Sequence, residues 1–330
     1  METSKMNHRE RIEACISGGA VDRPPVALWR HFPVDDQSPD HLAEATINFQ
    51  KTFDFDLVKV TPASSFCVKD WGVRDEWRGA SEGTREYTVR AIRQPEDWLK
   101  LPVLDPTRGY LAAQLACLRF VIRELGPEVP VIQTIFNPLS QAKYLVGKEM
   151  LLVHLRQAPE AVHAGLKTIT ASTQRFIDAL IDTGISGIFY AVQHAQYGLM
   201  SREEYLEFGK AYDLQALKSS EGLWLNMLHL HGEHVMFDLV ADYPVDVINW
   251  HDQDTYPSLA EGKERFSGVV CGGLKRELTM VLGTPESVAA EAKAALEATS
   301  GERFILGTGC VVPTTAPRAN LLAARKSVEI

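Results

Sequence analysis

No apolar run in the chain approaches the ~20 residues of a membrane-spanning helix. The first residues, Met1-Glu2-Thr3-Ser4-Lys5-Met6, lack the apolar core of a secretory leader. Both absences make a cytoplasmic protein the expectation, with no membrane partner. CxxC pairs are also missing, and the five cysteines (Cys15, Cys67, Cys117, Cys271, Cys310) are scattered. An odd, unpatterned count suits a reducing compartment better than a disulfide framework. Cys310 is then free to act as a thiol or thiolate. Basic residues are not in excess: 34 Lys and Arg against 43 Asp and Glu give a net charge of −9. That argues against a general nucleic-acid binder. It also argues against a strongly polyanionic substrate, unless arginines cluster locally. Internal repeats, low-complexity tracts and Pro/Gly-rich linkers are absent too. With 330 residues, a single domain over 1–330 is expected.

What the chain does have is a series of short apolar runs. They cover residues 26–29, 57–61, 129–135, 184–190, 225–230, 245–250, 268–271 and 304–307. Helical patterns separate most of them, with apolar residues at i, i+3 and i+4. Continuous apolar strands alternating with helices imply a parallel sheet covered on both faces. Eight such units predict an α/β fold, a (β/α)8 TIM barrel. An open doubly wound sheet is the alternative. Residues 67–108, rich in Trp, Arg, Glu and Gly, read as an insertion after strand two, a hairpin over one end of the barrel.

Barrel active sites sit at the C-terminal ends of the strands. In order those ends carry Arg30 and His31, Thr61, Asn137, Gln193 and His194, then His229 and His231, His251, Gly272 and Gly273, and Cys310. Five of the ten histidines fall on this rim, the main sign of an enzyme with a small-molecule substrate. His229 and His231 share a strand face, ~6.6 Å apart along the chain. They suit two ligands of one metal, two groups facing one substrate, or a hydrogen-bonded pair at a strand end. Two imidazoles and a thiolate form a zinc set, with His251 or Glu233 as an extra ligand. Cys310 equally fits as a small filler in a glycine turn. Gly272 and Gly273 allow close approach of a substrate, or serve turn geometry alone. Arg30, Asn137 and His194 fit either a substrate or loop carbonyls.

Three pieces of the chain resemble the uroporphyrinogen decarboxylase superfamily. They are Arg9-Glu10-Arg11 through Pro24-Pro25-Val26-Ala27-Leu28-Trp29-Arg30, then Cys271-Gly272-Gly273-Leu274-Lys275, and Gly307-Thr308-Gly309-Cys310 followed by Pro313. The resemblance implies a (β/α)8 barrel and offers two branches. Decarboxylases of the family carry two loop arginines after strand one, an aspartate after strand two, a tyrosine in the third unit and a histidine after strand eight. This chain keeps Arg30 and places Tyr144 at the tyrosine. It has His31-Phe32-Pro33-Val34 where the second arginine should be, Thr61-Pro62-Ala63 near the aspartate, and Cys310 at the histidine.

The other branch, the cobalamin-linked methyltransferases, binds zinc through His-x-Cys after strand five and a cysteine after strand eight. His229 matches the histidine, His231 stands at the first cysteine and Cys310 matches the second. This branch implies Zn2+ on His229, His231 and Cys310, and a methylated corrinoid on a partner protein. It implies Arg30, Tyr144 and His194 as catalytic groups. His31, Asn137, Gln193, His251, Gly272 and Gly273 would then be substrate contacts. A homodimer is the expected assembly. The alternatives are a decarboxylase, of a porphyrinogen or a smaller carboxylated substrate, and a non-catalytic binding barrel.

Overall fold

Asn7 opens the first helix, α1 (His8–Ser17). Its side chain accepts from the Glu10 N–H, and the Glu10 carboxylate accepts from the Asn7 N–H. Such a cap contributes about 1 kcal/mol at a helix start. The inner face of α1 carries Arg11, and a guanidinium in the core must be paired. Arg11 donates to Asp22 at 2.7 and 2.8 Å and to Asp56 at 2.6 Å. Asp56 is fully buried and accepts further bonds from His8, from Arg23 and from the Val26 N–H.

The computed structural model describes residues 5–329; residues 1–4, used above against a leader, lie outside the described residues. The strands are β1 (Val58–Val60), β2 (Arg74–Glu76), β3 (Glu86–Val89), β4 (Val131–Phe136), β5 (Gly187–Val192), β6 (Met227–Leu230), β7 (Val247–Trp250), β8 (Val269–Leu274) and β9 (Phe304–Thr308). Seven form one parallel sheet in the order β1-β4-β5-β6-β7-β8-β9. β2 and β3 form a separate antiparallel hairpin. Every residue of β4, β5 and β8 is buried, so both faces of the sheet are covered. The helices that follow α1 are α2 (Pro39–Phe53), α3 (Gly109–Leu125), α4 (Pro138–Val146), α5 (Lys148–Gln157), α6 (Pro159–Ile181), α7 (Arg202–Tyr205), α8 (Ala211–Leu217), α9 (Leu259–Arg265), α10 (Pro285–Thr299) and α11 (Arg318–Lys326).

Seven of the eight expected strands form, with ends displaced by a few residues. The first, 26–29, does not become a regular strand. It makes one isolated parallel bridge, Val26 to Leu306. The reason is chemical: Pro24 and Pro25 have no N–H to give a ladder. The segment is nevertheless bonded on both sides. Ala27 N–H donates to Leu306 O and Leu306 N–H to Pro25 O, at 2.9 Å each. On the other side Asp56 N–H donates to Val26 O at 2.8 Å, and the Val26 N–H donates to the Asp56 carboxylate at 2.9 Å. A buried carboxylate thus stands in for a strand carbonyl between β9 and β1.

Burial alone would raise both carboxyls. The Arg11 bonds outweigh it and hold Asp22 down to about 2; His8 and Arg23, with Arg11, hold Asp56 well below the carboxylate range. Depressed acids stabilise the fold above their unfolded pKa of about 4. Their contribution should be complete above pH 4 and fall away as pH drops toward 2. Asp56→Ala leaves Arg11 charged, buried and short of a partner. It should cost about 3–5 kcal/mol in urea unfolding; a loss under 1 kcal/mol would show that the carboxylate is dispensable.

Candidate metal centre and cavity

On a strand, alternate side chains face the same way. His229 lies on β6, opposite Asn249 of β7. His231 follows two residues after His229, His251 two after Asn249, and Cys310 two after Thr308. The period carries all of these past the strand ends to one point. One ligand atom from each of His229, His231, His251 and Cys310 can be chosen so that all lie within 4.8 Å of one another. The imidazole centroids are 5.0–5.9 Å apart, and Cys310 Sγ is 3.8 Å from His231 Nδ1. Gly309 permits this closeness. A Cβ there would lie 2.7 Å from both His251 Cα and Trp250 O, and would force the end of β9 away from β7. Glu233 is exposed and is not among these four.

The tautomer of His229 follows from its neighbours. The Asn249 amide NH2 donates to Cys271 O at 2.9 Å and to Thr308 O at 3.0 Å. Its oxygen therefore faces His229 Nδ1, 2.7 Å away, and can only accept. Nδ1 carries the proton, and Nε2 presents a lone pair. His229 Nε2 and His251 Nε2 are buried without hydrogen-bond partners among the described residues. A buried acceptor without a donor is costly; a metal ion would satisfy His229 Nε2, and His251 Nε2 as well when that ring carries its proton on Nδ1. Burial lowers His229, and the neighbouring Cys310 raises it in part. Burial alone would raise Cys310, but the imidazoles of His229, His231 and His251 around it bring its thiol well below the usual range. The donor set fits zinc.

The cluster opens on a cavity of about 370 Å³. Of the expected site residues, His31, Tyr144, Gln193, His229, His231 and Cys310 line it. Tyr144 Oη donates to Gln193 Oε1 at 2.8 Å, and Lys143 donates to the same oxygen. His31 is half-buried, and the desolvation of its ring pushes it down to about 4, with Lys59 adding to the effect. His251 joins the metal-type cluster instead of a substrate surface.

Five expected residues do not reach the cavity. Arg30 lies on the other side of its segment, 5.3 and 5.2 Å from the ring centroids of Phe32 and Phe49. Asn137 caps α4 and donates to Asp213 at 2.9 Å. His194 is buried behind Gln193, lining a separate recess of about 320 Å³ with Lys148 and Gly232; burial, then Lys143 and Lys148, push it to about 3. Gly272 and Gly273 pack on Asp252: the Gly273 N–H donates to it at 3.0 Å, and a Cβ on Gly272 would lie 2.4 Å from its oxygen. Arg30, Asn137 and His194 share one physical reason. Each is one residue out of step with the inward set Trp29/His31, Thr134/Phe136 and Phe189/Ala191/Gln193.

The charged residues of the cavity wall escaped the sequence reading: Lys59, Glu82, Arg85, Arg90, Lys143 and Lys148. Lys59 had a signal, a lysine inside an apolar strand and in phase with Thr61. Burial pushes its ammonium down to about 7. Arg85 and Arg90 come from the hairpin region, which no periodicity connects to the parallel sheet.

A family model for uroporphyrinogen decarboxylase (URO-D) matches residues 7–329. The chain belongs to this family. Methylcobamide:CoM methyltransferase MtaA of Methanosarcina barkeri (strain Fusaro) is 24% identical over 98% of this chain and 98% of its own length. Uroporphyrinogen decarboxylase of Mannheimia succiniciproducens is 25% identical, over 73% of this chain and 70% of its own. A solved methyltransferase from Methanosarcina mazei superposes with a TM-score of 0.85 at 19% identity, covering 98% of this chain and 99% of its own, a likeness of fold. The α/β fold with its curled parallel sheet is thus a family property. No helix among the described residues is long and apolar enough to cross a membrane.

The thiols of this family member should differ sharply in reactivity. Burial raises Cys15 to about 11 and Cys117 to about 12, and raises Cys67 and Cys271 as well. Thiolate is the nucleophile. Iodoacetamide at pH 7 on metal-free protein should therefore alkylate Cys310 about tenfold or more faster than the other four. Peptide mass spectrometry over a time course reads this directly; equal rates would remove the lowered thiol.

Proposed function

We propose that this chain is a zinc-dependent methyltransferase component that moves a corrinoid-bound methyl group to a small acceptor. The observation that carries the reading is the convergence of His229, His231, His251 and Cys310, with two buried imidazole Nε2 atoms that have no hydrogen-bond partner among the described residues. The full-length match to methylcobamide:CoM methyltransferases, against a three-quarter match to a decarboxylase, supports the same branch. His229, His231 and Cys310 would hold the zinc, and His251 stands within reach as a further donor. Bound zinc would lower the pKa of an acceptor thiol.

The rest of the work falls to the chain itself. Asn249 fixes the His229 tautomer, a relay whose loss costs about 10–100-fold in metal affinity in comparable sites. Tyr144, Gln193 and His31 would orient the acceptor. Arg30 and Asn137 act through packing instead, and His194 faces the neighbouring recess. Gly272 and Gly273 position the end of β8 through Asp252. The methylated corrinoid would arrive on a partner protein. We further infer a complete eight-unit barrel over residues 1–330, with 67–108 inserted after strand two, working as a cytoplasmic homodimer.

Zinc content by elemental analysis, on protein purified without chelator or polyhistidine tag, tests the metal. Wild type should hold about one zinc per chain. Cys310→Ser should weaken binding sharply and Asn249→Leu about tenfold or more, while Arg30→Ala should bind as wild type. Affinity should fall as pH drops, because protons compete for the thiolate and the imidazoles. Zinc-loaded wild type should consume methylcob(III)alamin in the presence of a thiol, and Cys310→Ser should not. A wild type that stays metal-free after zinc is supplied would end the proposal.

A further inference from the structure

The cavity contains two sets of cations that the protein does not neutralise. Lys59 rises from β1, is 6% exposed, and donates to Thr61 Oγ1 at 3.1 Å. Its ammonium lies 4.4 Å from the centroid of Phe189, and that ring stacks on His229 at 5.2 Å. So Lys59 sits one ring away from the histidine–cysteine cluster, and no carboxylate pairs with it among the described residues.

The second set is Lys143 on α4, Lys148 at the start of α5, and Arg90. Lys143 donates to Gln193, and Arg90 donates to the carbonyls of Lys143 and Tyr144. Arg90 and Lys143 lie over the rings of Tyr87 and Tyr144, at 4.2 and 4.3 Å. Burial, then the charges of Arg90 and Lys148, push Lys143 down to about 7, so the three cations repel one another. The other charges on the wall cancel within the protein: Arg85 pairs with Asp75 at 2.5 Å, and Glu82 pairs with Arg276.

Magnitudes show that the rings are not sufficient partners. A cation–π contact contributes about 0.5–2 kcal/mol. Removing an ammonium from water costs several kcal/mol even after relaxation. Buried charges are otherwise paired. Lys59 is therefore incomplete without an anion from outside; Lys143 and Arg90 are half-buried and Lys148 is exposed, so the outer set attracts an anion by its summed charge, in a cavity whose volume suits a small ligand.

We propose that the cavity binds a small organic substrate carrying two anionic groups, one on Lys59 beside the His229–Cys310 cluster and one on Lys143, Arg90 and Lys148. This deepens the methyltransferase reading by naming a substrate class. It falls within the exception left to the expectation from net charge, a local cluster of cations, here mostly lysines, while the −9 is spread over the rest of the chain.

Calorimetric titration with a ladder of α,ω-dicarboxylates, malonate to adipate, against the half-amide of each, tests the proposal. The protein is used both zinc-loaded and zinc-stripped. At one chain length the dicarboxylate should bind about thirtyfold or more tighter than its half-amide, as loss of one buried charge pair implies. Lys59→Met and Lys143→Met should each reduce that preference to within a few-fold. Lys59→Arg should keep part of it, and Lys293→Met, on the exposed face of α10, should keep all. Thermal unfolding checks each variant. Should Lys59→Met not fold, Lys143→Met and Lys148→Met read the outer set and Lys59→Arg the inner. The preference should persist without zinc, so failure of the metal reading would leave it standing. Three results overturn the proposal: no dicarboxylate preferred at any length, a preference indifferent to both lysines, or one that appears only with zinc.

Discussion

Every group at the centre of this molecule is placed by the two-residue period of a parallel strand. His229 and His231, Asn249 and His251, and Thr308 and Cys310 are successive inward positions on three strands. In a curled parallel sheet the inward positions converge, and the ends of β6, β7 and β9 bring their last inward side chains together. A shift of register by one residue would turn every one of these groups to the helix side. The register is itself secured by the site. Asn249 bonds to carbonyls of β8 and of the end of β9 while accepting from His229 on β6. One amide thus ties four strands and sets the protonation of the central imidazole.

The same period separates two kinds of buried polar group. Inward positions carry groups with bonding capacity left over: His229, His251 and Lys59. The outward residues Asn137 and Tyr190 instead join a saturated network, although outward His194 and Arg30 keep buried nitrogens without partners among the described residues. Asp213 is the centre of that network, accepting from Asn137, Tyr190, Tyr205 and Tyr243 at 2.8–3.1 Å. Burial raises its carboxyl to about 6 in spite of these bonds. A saturated network rigidifies the shell around the sheet. An unsaturated one costs stability and is retained where a ligand completes it.

Much of the architecture was legible because burial on both faces leaves continuous apolar runs. Seven of eight runs became strands. The eighth, 26–29, was readable as extended but not as a ladder member, since Pro24 and Pro25 supply no donors and a distant side chain, Asp56, takes the Val26 N–H. The site was legible to the extent that strand phase was respected. Reading strand ends as zones drew in Arg30, Asn137 and His194, whereas reading alternate residues keeps His31, Gln193 and the cluster and adds Lys59. Gly272 and Gly273 were visible as special positions, but their cause is the Asp252 side chain, which only tertiary structure brings against them. Arg85 and Arg90 reach the cavity through the β2–β3 hairpin, and no local pattern encodes that docking.

Phase also explains why the cations and the metal-type cluster occupy one cavity without neutralising each other. Lys59 on β1 with Thr61 just past its end, Phe189 on β5 and His229 on β6 all face the same cavity. Phe189 contacts both the ammonium and the imidazole, with Lys59 Nζ 4.4 Å from its centroid and His229 stacked on it at 5.2 Å. An aromatic ring is a poor screen for charge but an effective spacer. It prevents Lys59 from donating directly to the cluster, where an ammonium hydrogen bond would occupy a lone pair that a metal needs. It leaves the positive potential of Lys59 acting on the space beside Cys310. An anionic group held there meets a cation without displacing any donor of the cluster, so metal and substrate can be bound at once by residues that the strand period alone has sorted into separate roles.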